Sequence, residues 1–388
     1  MTPVTPTAAQ IDQTKQAIAA YIHSIDSHPE RREGAYPYYL FHEPGQTIRG
    51  TVMIFHGFSA KPHQMWRLAD YLFRNGFNVY QPAIAGHSFI NPAKNWPQVD
   101  LKPEIAQPLK AKAMKDPVLQ NYLSNVANSS SGFSHPNAIQ RTAIVARLLR
   151  LEPRLLDIIK AIQTPDDPKF DTYFDSTHRE FLTHAEARLN ELAALPGDVY
   201  TVGLSVGGAV AIGLAAARPD RVKKVVAYAP LLQIHGEDNL LYVNLAGPLD
   251  LKESGWDPNL QFPVGCLTAA NRFGSSDVMS QSSIQSLHNT PTFLVLTANE
   301  DAADIGTSQR FFDRIGGSAR GHHSYFYEKD MLVPHPMVDP TEVSQNMSNR
   351  YWKSLYQETL RFLTVGSVDA SNLNSYEENA DMPSVPSV

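Results

Sequence analysis

Short runs of consecutive apolar residues alternate along this chain with longer stretches in which apolar positions return every three or four residues. The run Val52-Met53-Ile54-Phe55 is apolar throughout, as expected of a strand covered on both faces by helices. Strands are predicted at Gly50–Phe55, Asn78–Gln81, Asp198–Gly203, Val222–Ala229, Thr292–Thr297 and Ser324–Glu328. An aromatic, strand-like segment, Tyr36–His42, precedes the turn chemistry of Glu43-Pro44-Gly45-Gln46. Helical spacing places Ile11, Ile18, Ile22 and Ile25 on one side of residues 9–25. Further helices are predicted at Gln64–Arg74, where Trp66, Leu68, Tyr71 and Leu72 form the stripe and Gly76 ends it, and at Ser176–Ala194, Val210–Ala217, Ser308–Gly316 and Asn349–Leu363. Strand, helix and strand joined by short connections predict an α/β fold with a mostly parallel central sheet flanked by helices.

The rhythm breaks twice. Residues 91–170 are rich in proline, contain the polar stretch Asn-Ser-Ser-Ser-Gly at 128–132, and show no strand pattern, so an all-helical insertion is expected there. Its apolar residues Ile144, Leu148, Leu149, Leu155, Ile158, Ile159 and Ile162 follow helical spacing, and Pro153 should split or kink that helix. Residues 236–288 are again irregular and read as a second insertion. The strand-bearing body is then 34–90, 171–235 and 289–365, preceded by a helical segment at 1–33. The last stretch, 366–388, carries Asp369, Glu377, Glu378 and Asp381 but no Lys or Arg, and reads as a disordered tail.

Charge and composition narrow the function classes. The net charge of −6 owes most to that tail, leaving a nearly neutral body without basic clusters, which argues against a nucleic-acid partner. No stretch approaches the ~20 apolar residues a membrane span needs. The first residues lack an uninterrupted apolar run of the secretory kind, so a cytoplasmic protein is expected. The single cysteine, Cys266, excludes a disulfide framework and cysteine-based metal centres, and leaves serine as the nucleophile to look for.

One serine stands in a telling context. Gly203-Leu204-Ser205-Val206-Gly207-Gly208 follows a predicted strand and opens a helix of small residues. A nucleophile on a sharp strand-to-helix turn needs strained backbone angles and small neighbours. The turn would also put the Val206 amide at a helix N-terminus, where developing negative charge is favoured. A second donor for an oxyanion must come from elsewhere, and His56-Gly57-Phe58 at the end of the strand Gly50–Phe55 can supply the Phe58 amide. His56 itself is expected to brace that loop.

These motifs, in this order, resemble the α/β-hydrolase superfamily. HGFSAKPHQMWRLADYLFRNGFNVYQPAIAGH is especially similar to the carboxylesterase and monoacylglycerol-lipase branch, with an oxyanion loop, a helix, a strand and a Gly-His loop. The likeness covers roughly 50–90, 195–230 and 290–340; Ser88 departs from it, since a second glycine often follows Gly86-His87. The resemblance implies an α/β-hydrolase fold whose 91–170 insertion caps the acyl pocket, and a catalytic order of serine, acid, histidine. Asp301 matches the position of the acid, with Glu300 and Asp304 as alternatives in the same acidic loop. His335 lies after the last strand and fits the histidine, whereas His322 and His323 precede that strand and are expected at the surface rather than on a metal. His87, His178 and His184 are the others that could border the site. The implied activity is hydrolysis of small carboxylic esters with an apolar acyl chain by Ser205, His335 and Asp301, without metal or organic cofactor. Thioesterase, lactonase, lipase or acyltransferase activity, and a non-catalytic binding role for the same fold, are the alternatives.

Overall fold

The structure is a computed structural model and describes residues 2–121, 138–236, 252–254 and 260–377. Its strands are β1 (Tyr38–Leu40), β2 (Thr51–Phe55), β3 (Asn78–Gln81), β4 (Val99–Leu101), β5 (Phe174–Ser176), β6 (Val199–Leu204), β7 (Val222–Tyr228), β8 (Lys252–Ser254), β9 (Gln261–Pro263), β10 (Thr292–Thr297) and β11 (His323–Tyr327). One sheet carries the order β1-β3-β2-β6-β7-β10-β11. β1 pairs antiparallel with β3, and every other neighbouring pair in that sheet is parallel.

Strands β2, β3, β6 and β10 are buried at every position. β2, β6 and β10 accordingly read as nearly continuous apolar runs, whereas β3 has Asn78 and Gln81 at its ends, whose buried side chains bond the His42 amide and the Pro62 carbonyl. Side chains still alternate between faces. Val52 and Ile54 pack with Leu68, Leu72, Trp352, Leu355 and Phe362 on one side of the sheet. Met53 and Phe55 join Ile11, Ile18, Phe181, Val210 and Phe311 on the other. The N-terminal helix Ala8–Asp26 thus belongs to the core, and it starts at a capping box in which Thr7 and Gln10 satisfy each other's amides. No described helix is long and apolar enough to cross a membrane.

Residues 91–170 form helices Pro103–Ala113, Ala138–Leu151 and Leu155–Gln163, the last two separated at Glu152-Pro153 as the proline requires. The insertion is not wholly helical: β4 within it pairs antiparallel with β5 just beyond it. Three residues are too few for a strand pattern to register. The polar stretch 128–132 lies outside the described residues. In the second insertion, helices Val264–Arg272 and Gln281–Leu287 flank a π-helical turn at Phe273–Val278, and Cys266, Phe273 and Val278 are buried in the main core. Gly213 makes room for this, since a Cβ there would stand 2.8 Å from the Phe273 ring.

The first part of the C-terminal stretch is docked rather than loose. Gly366 ends the helix Trp352–Val365 at φ +76°, and Leu373 turns back into full burial. Tyr325 donates to Asn374 at 2.6 Å, and the Glu377 amide to the Arg350 carbonyl at 2.7 Å. Residues 378–388 lie outside the described residues.

Candidate active site

Ser205 sits between β6 and the helix Val206–Ala217 with φ +58° and ψ −121°, a conformation L-residues rarely adopt. Its amide donates to the Tyr228 carbonyl, and its own carbonyl accepts from the Ala209 and Leu231 amides, so packing on both sides holds the turn. The flanking glycines are sterically required. A Cβ on Gly203 would stand 2.0 Å from the Gly207 carbonyl oxygen, and one on Gly207 would stand 2.3 Å from that of Phe55. Val206 is the first residue of the helix, where backbone N–H groups have no partner within the helix.

The His56-Gly57-Phe58 loop comes up beside this turn: an ideal Cβ on Gly57 would lie 3.8 Å from that of Ser205. The Ile84 amide donates to His56 Nε2 at 3.1 Å, so Nδ1 carries the hydrogen and donates to the Gly57 carbonyl at 2.8 Å. Burial holds the His56 pKa down to about 3, which keeps the ring neutral. The Ala60 amide also donates to the Gly57 carbonyl. Because the Gly57–Phe58 peptide is trans, the N–H of Phe58 points the opposite way from that twice-bonded carbonyl. The Phe58 ring meets those of His87, Trp96 and Phe262 edge-on.

His335 is fully buried, and its Nδ1 lies 2.6 Å from Glu300 Oε1. The residue expected in that contact, Asp301, is not the one that makes it. Asp301 accepts from Gln345 at 2.7 Å, while Asp304 caps the helix Ile305–Arg314 by accepting from the Thr307 amide at 2.7 Å. The correction has a geometric cause. Asn299 and Pro334 form a parallel bridge, so the next residues, Glu300 and His335, fall side by side. The Ala302 and Ala303 amides donate to Glu300 Oε1 at 2.9 and 2.8 Å. Burial opposes charge on Glu300, but His335 and these amides outweigh it and lower the pKa. Burial likewise opposes charge on His335, and the carboxylates around it, Glu300 foremost and then Asp301 and Glu342, outweigh it and raise the pKa.

Ser205, Asp301, His335 and Phe58 line one cavity of about 360 Å³, with Gly57, Ser59, Ala60, Gln64, Leu204, Pro336, Glu342, Val343 and Ser344 completing the wall. Glu300 is behind His335 and outside that lining. None of the lining residues comes from the described part of 91–170; Pro336, Glu342, Val343 and Ser344 line the cavity instead, from a segment that has no periodicity to mark it in the sequence. Glu342 is the unforeseen acid here. Burial, helped by Asp339 and opposed by Gln64 and His335, raises its pKa to about 7.

The other histidines divide by contact. His87 stacks on Trp96 at 3.6 Å and borders the Phe58 ring. His178 contacts Asp277, and His184 contacts Tyr21, both away from the cavity lining. His322, expected at the surface, is fully buried: it accepts from the Thr292 amide and lies 3.1 Å from the Ile315 carbonyl, tying β10 to the helix before β11. Glu300, Asp301 and His335 offer ligand atoms within 4.8 Å of one another. Donors around a tetrahedral ion at ~2.0–2.1 Å stand about 3.3 Å apart. The 2.6 Å Glu300–His335 contact is too short for that, so the pair is engaged with itself.

A sequence model for the α/β-hydrolase fold matches residues 50–262. No curated protein matches the chain in sequence. Among solved structures, the metagenome-derived lipolytic enzymes LipS and LipT are represented by a chain with a TM-score of 0.51 at 15% identity, covering 86% of this chain and 99% of its own. A soluble variant of monoglyceride lipase from Saccharomyces cerevisiae gives 0.48 at 12% identity, covering 88% of this chain and 98% of its own. At such identities the likeness is one of fold.

Proposed function

The chain belongs to the α/β-hydrolase family, and from that premise we propose that it is a serine hydrolase cleaving carboxylic esters through an acyl-enzyme. One observation carries the reading: a serine held at positive φ shares a cavity with a buried histidine whose far side is occupied by a carboxylate. In this reading Glu300, in place of Asp301, is the acid.

Ser205 Oγ bonds to the acyl carbon as its proton passes to His335 Nε2. Glu300 faces Nδ1, fixes the tautomer and stabilises the imidazolium. The carbonyl oxygen, now negative, accepts from the Phe58 and Val206 amides. Collapse breaks the ester C–O bond, and the leaving alcohol takes the proton from Nε2. Water then attacks the acyl-enzyme, gives its proton to His335, and the acid departs as Ser205 is restored. Every proton and charge in the cycle is handled by a side chain or amide of this chain.

Phe58, Leu204, Pro336 and Val343 on the cavity wall support an ester with an apolar acyl chain. A fluorophosphonate probe tests the reading: wild-type protein is labelled and Ser205→Ala is not. An unlabelled wild type, or equal labelling of both, overturns it. A panel of p-nitrophenyl esters differing in acyl length, run beside an acyl thioester and a lactone, then ranks the acyl-transfer reactions.

A further inference from the structure

Gln64 joins two loops that are remote in sequence. The Gly57 amide donates to Gln64 Oε1 at 2.8 Å. Since an N–H can only donate, this bond fixes which end of the Gln64 amide is oxygen, and turns its NH₂ the other way. That NH₂ donates to both carboxylate oxygens of Glu342, at 3.0 and 3.2 Å. Gly57 immediately precedes Phe58, and Glu342 follows His335 on a segment that also lines the cavity. All of these residues line the same cavity as Ser205.

The arrangement costs something. A carboxylate on a surface segment could face water, yet Glu342 is held in a partly desolvated place where charge is disfavoured. Its bonds to Gln64 are what it obtains there. At the other end, Gly57 is held through both peptides that flank it: Gln64 anchors the His56–Gly57 peptide at its N–H, and His56 and Ala60 anchor the Gly57–Phe58 peptide at its carbonyl. With both flanking peptides anchored, the two backbone dihedrals of Gly57 are fixed, and with them the plane of the Gly57–Phe58 peptide that bears the Phe58 N–H.

We propose that Gln64 and Glu342 form a latch that positions the Phe58 amide by tying its loop to the segment carrying His335. Both are positioning residues, and the proposal rests on the ester-hydrolase reading. An oxyanion donor matters most when charge has developed on the carbonyl oxygen, so a loosened latch lowers kcat and leaves KM nearly unchanged.

Exchanging the two partners tests this. Gln64→Glu still accepts from the Gly57 amide but sets one carboxylate against another; the exchanged pair Gln64→Glu with Glu342→Gln restores a donor facing a carboxylate in reversed order. With p-nitrophenyl butyrate, Gln64→Glu and Glu342→Ala are each expected to lower kcat about tenfold, with KM within about twofold. The exchanged pair should recover to within about threefold of wild type. Fluorophosphonate end-point labelling counts folded sites in each variant, so kcat is expressed per competent site. Unchanged kcat in Glu342→Ala, or an exchanged pair no better than Gln64→Glu alone, overturns the latch while leaving the hydrolase reading intact. A wild type that does not label overturns both.

Discussion

Asn299 and Pro334 form a parallel bridge beyond the ends of β10 and β11, and it brings the residues that follow them, Glu300 and His335, to 2.6 Å. Glu300→Gln is therefore expected to lower kcat on p-nitrophenyl butyrate by about 10³-fold or more, as loss of a tautomer-setting carboxylate does. Asp301→Asn, which alters the cavity wall but not this contact, should lose about tenfold or less. Steady-state kinetics of both variants decide between the two acids, and a larger loss in Asp301→Asn reverses the assignment.

The same contact sets a pH dependence. Glu300 raises the His335 pKa against the effect of burial. A general base must be neutral, so kcat/KM falls as pH drops through that raised value, and the acid limb should have its midpoint above the ordinary ~6.5 of histidine. Glu300→Gln removes the largest of the raising charges and leaves the burial and the weaker effects of Asp301 and Glu342, so in its residual activity the midpoint moves to lower pH. A midpoint that stays in place in the variant contradicts the electrostatic coupling.

Ser205 bears backbone strain in exchange for its placement. Glycine adopts φ +58° without the Cβ penalty. Ser205→Gly should abolish turnover and raise stability by about 1 kcal/mol, read as a shifted urea midpoint at unchanged slope. Lower stability in this variant argues that the turn is relaxed with serine in place.

His56 supplies an acid-stability prediction. Its folded pKa of about 3 lies below the ordinary histidine value, so between those values the unfolded chain binds the extra proton. The contribution is present above about pH 6.5 and is lost as pH falls toward 3, at up to about 1.4 kcal/mol per unit. His56→Gln, which has a donor and an acceptor but no proton to gain, should flatten the stability–pH profile in that window. Chemical denaturation across the window, in parallel for both proteins, checks it; identical slopes count against it.

His322 and His335 should separate cleanly. His322 bridges a backbone amide and a carbonyl deep in the fold, so His322→Ala should lose about 1–3 kcal/mol of stability with kcat within about twofold of wild type. His335→Ala should do the reverse, losing turnover while remaining folded. Activity and thermal melts of the two variants, measured together, give the answer.

Much of the sheet was legible because parallel strands covered on both faces are written as apolar runs, and each predicted strand of the sheet recurs within a few residues of its observed ends. Ser205 was legible for a related reason: close approach of backbone to backbone restricts side chains locally, and Gly203 and Gly207 record it. Glu300 was not. Its partner is chosen by an isolated bridge between two loops, Asn299 to Pro334, and neighbouring acids in one loop look alike until that pairing is known. Glu342 and the 336–344 wall carry no periodicity, and the burial of Leu373 depends on a surface built by β11 and the last helix rather than on its own neighbours.

The sheet order has a consequence for how the site comes into being. Gly57 follows β2, Ser205 follows β6, Glu300 follows β10 and His335 follows β11, so the site is assembled at the ends of strands whose contacts span most of the chain. Contacts of such long sequence separation form late, after the loops between them have closed. Turnover during refolding should thus lag behind the return of helical circular dichroism, making ester hydrolysis a sensor of completed topology rather than of collapsed structure.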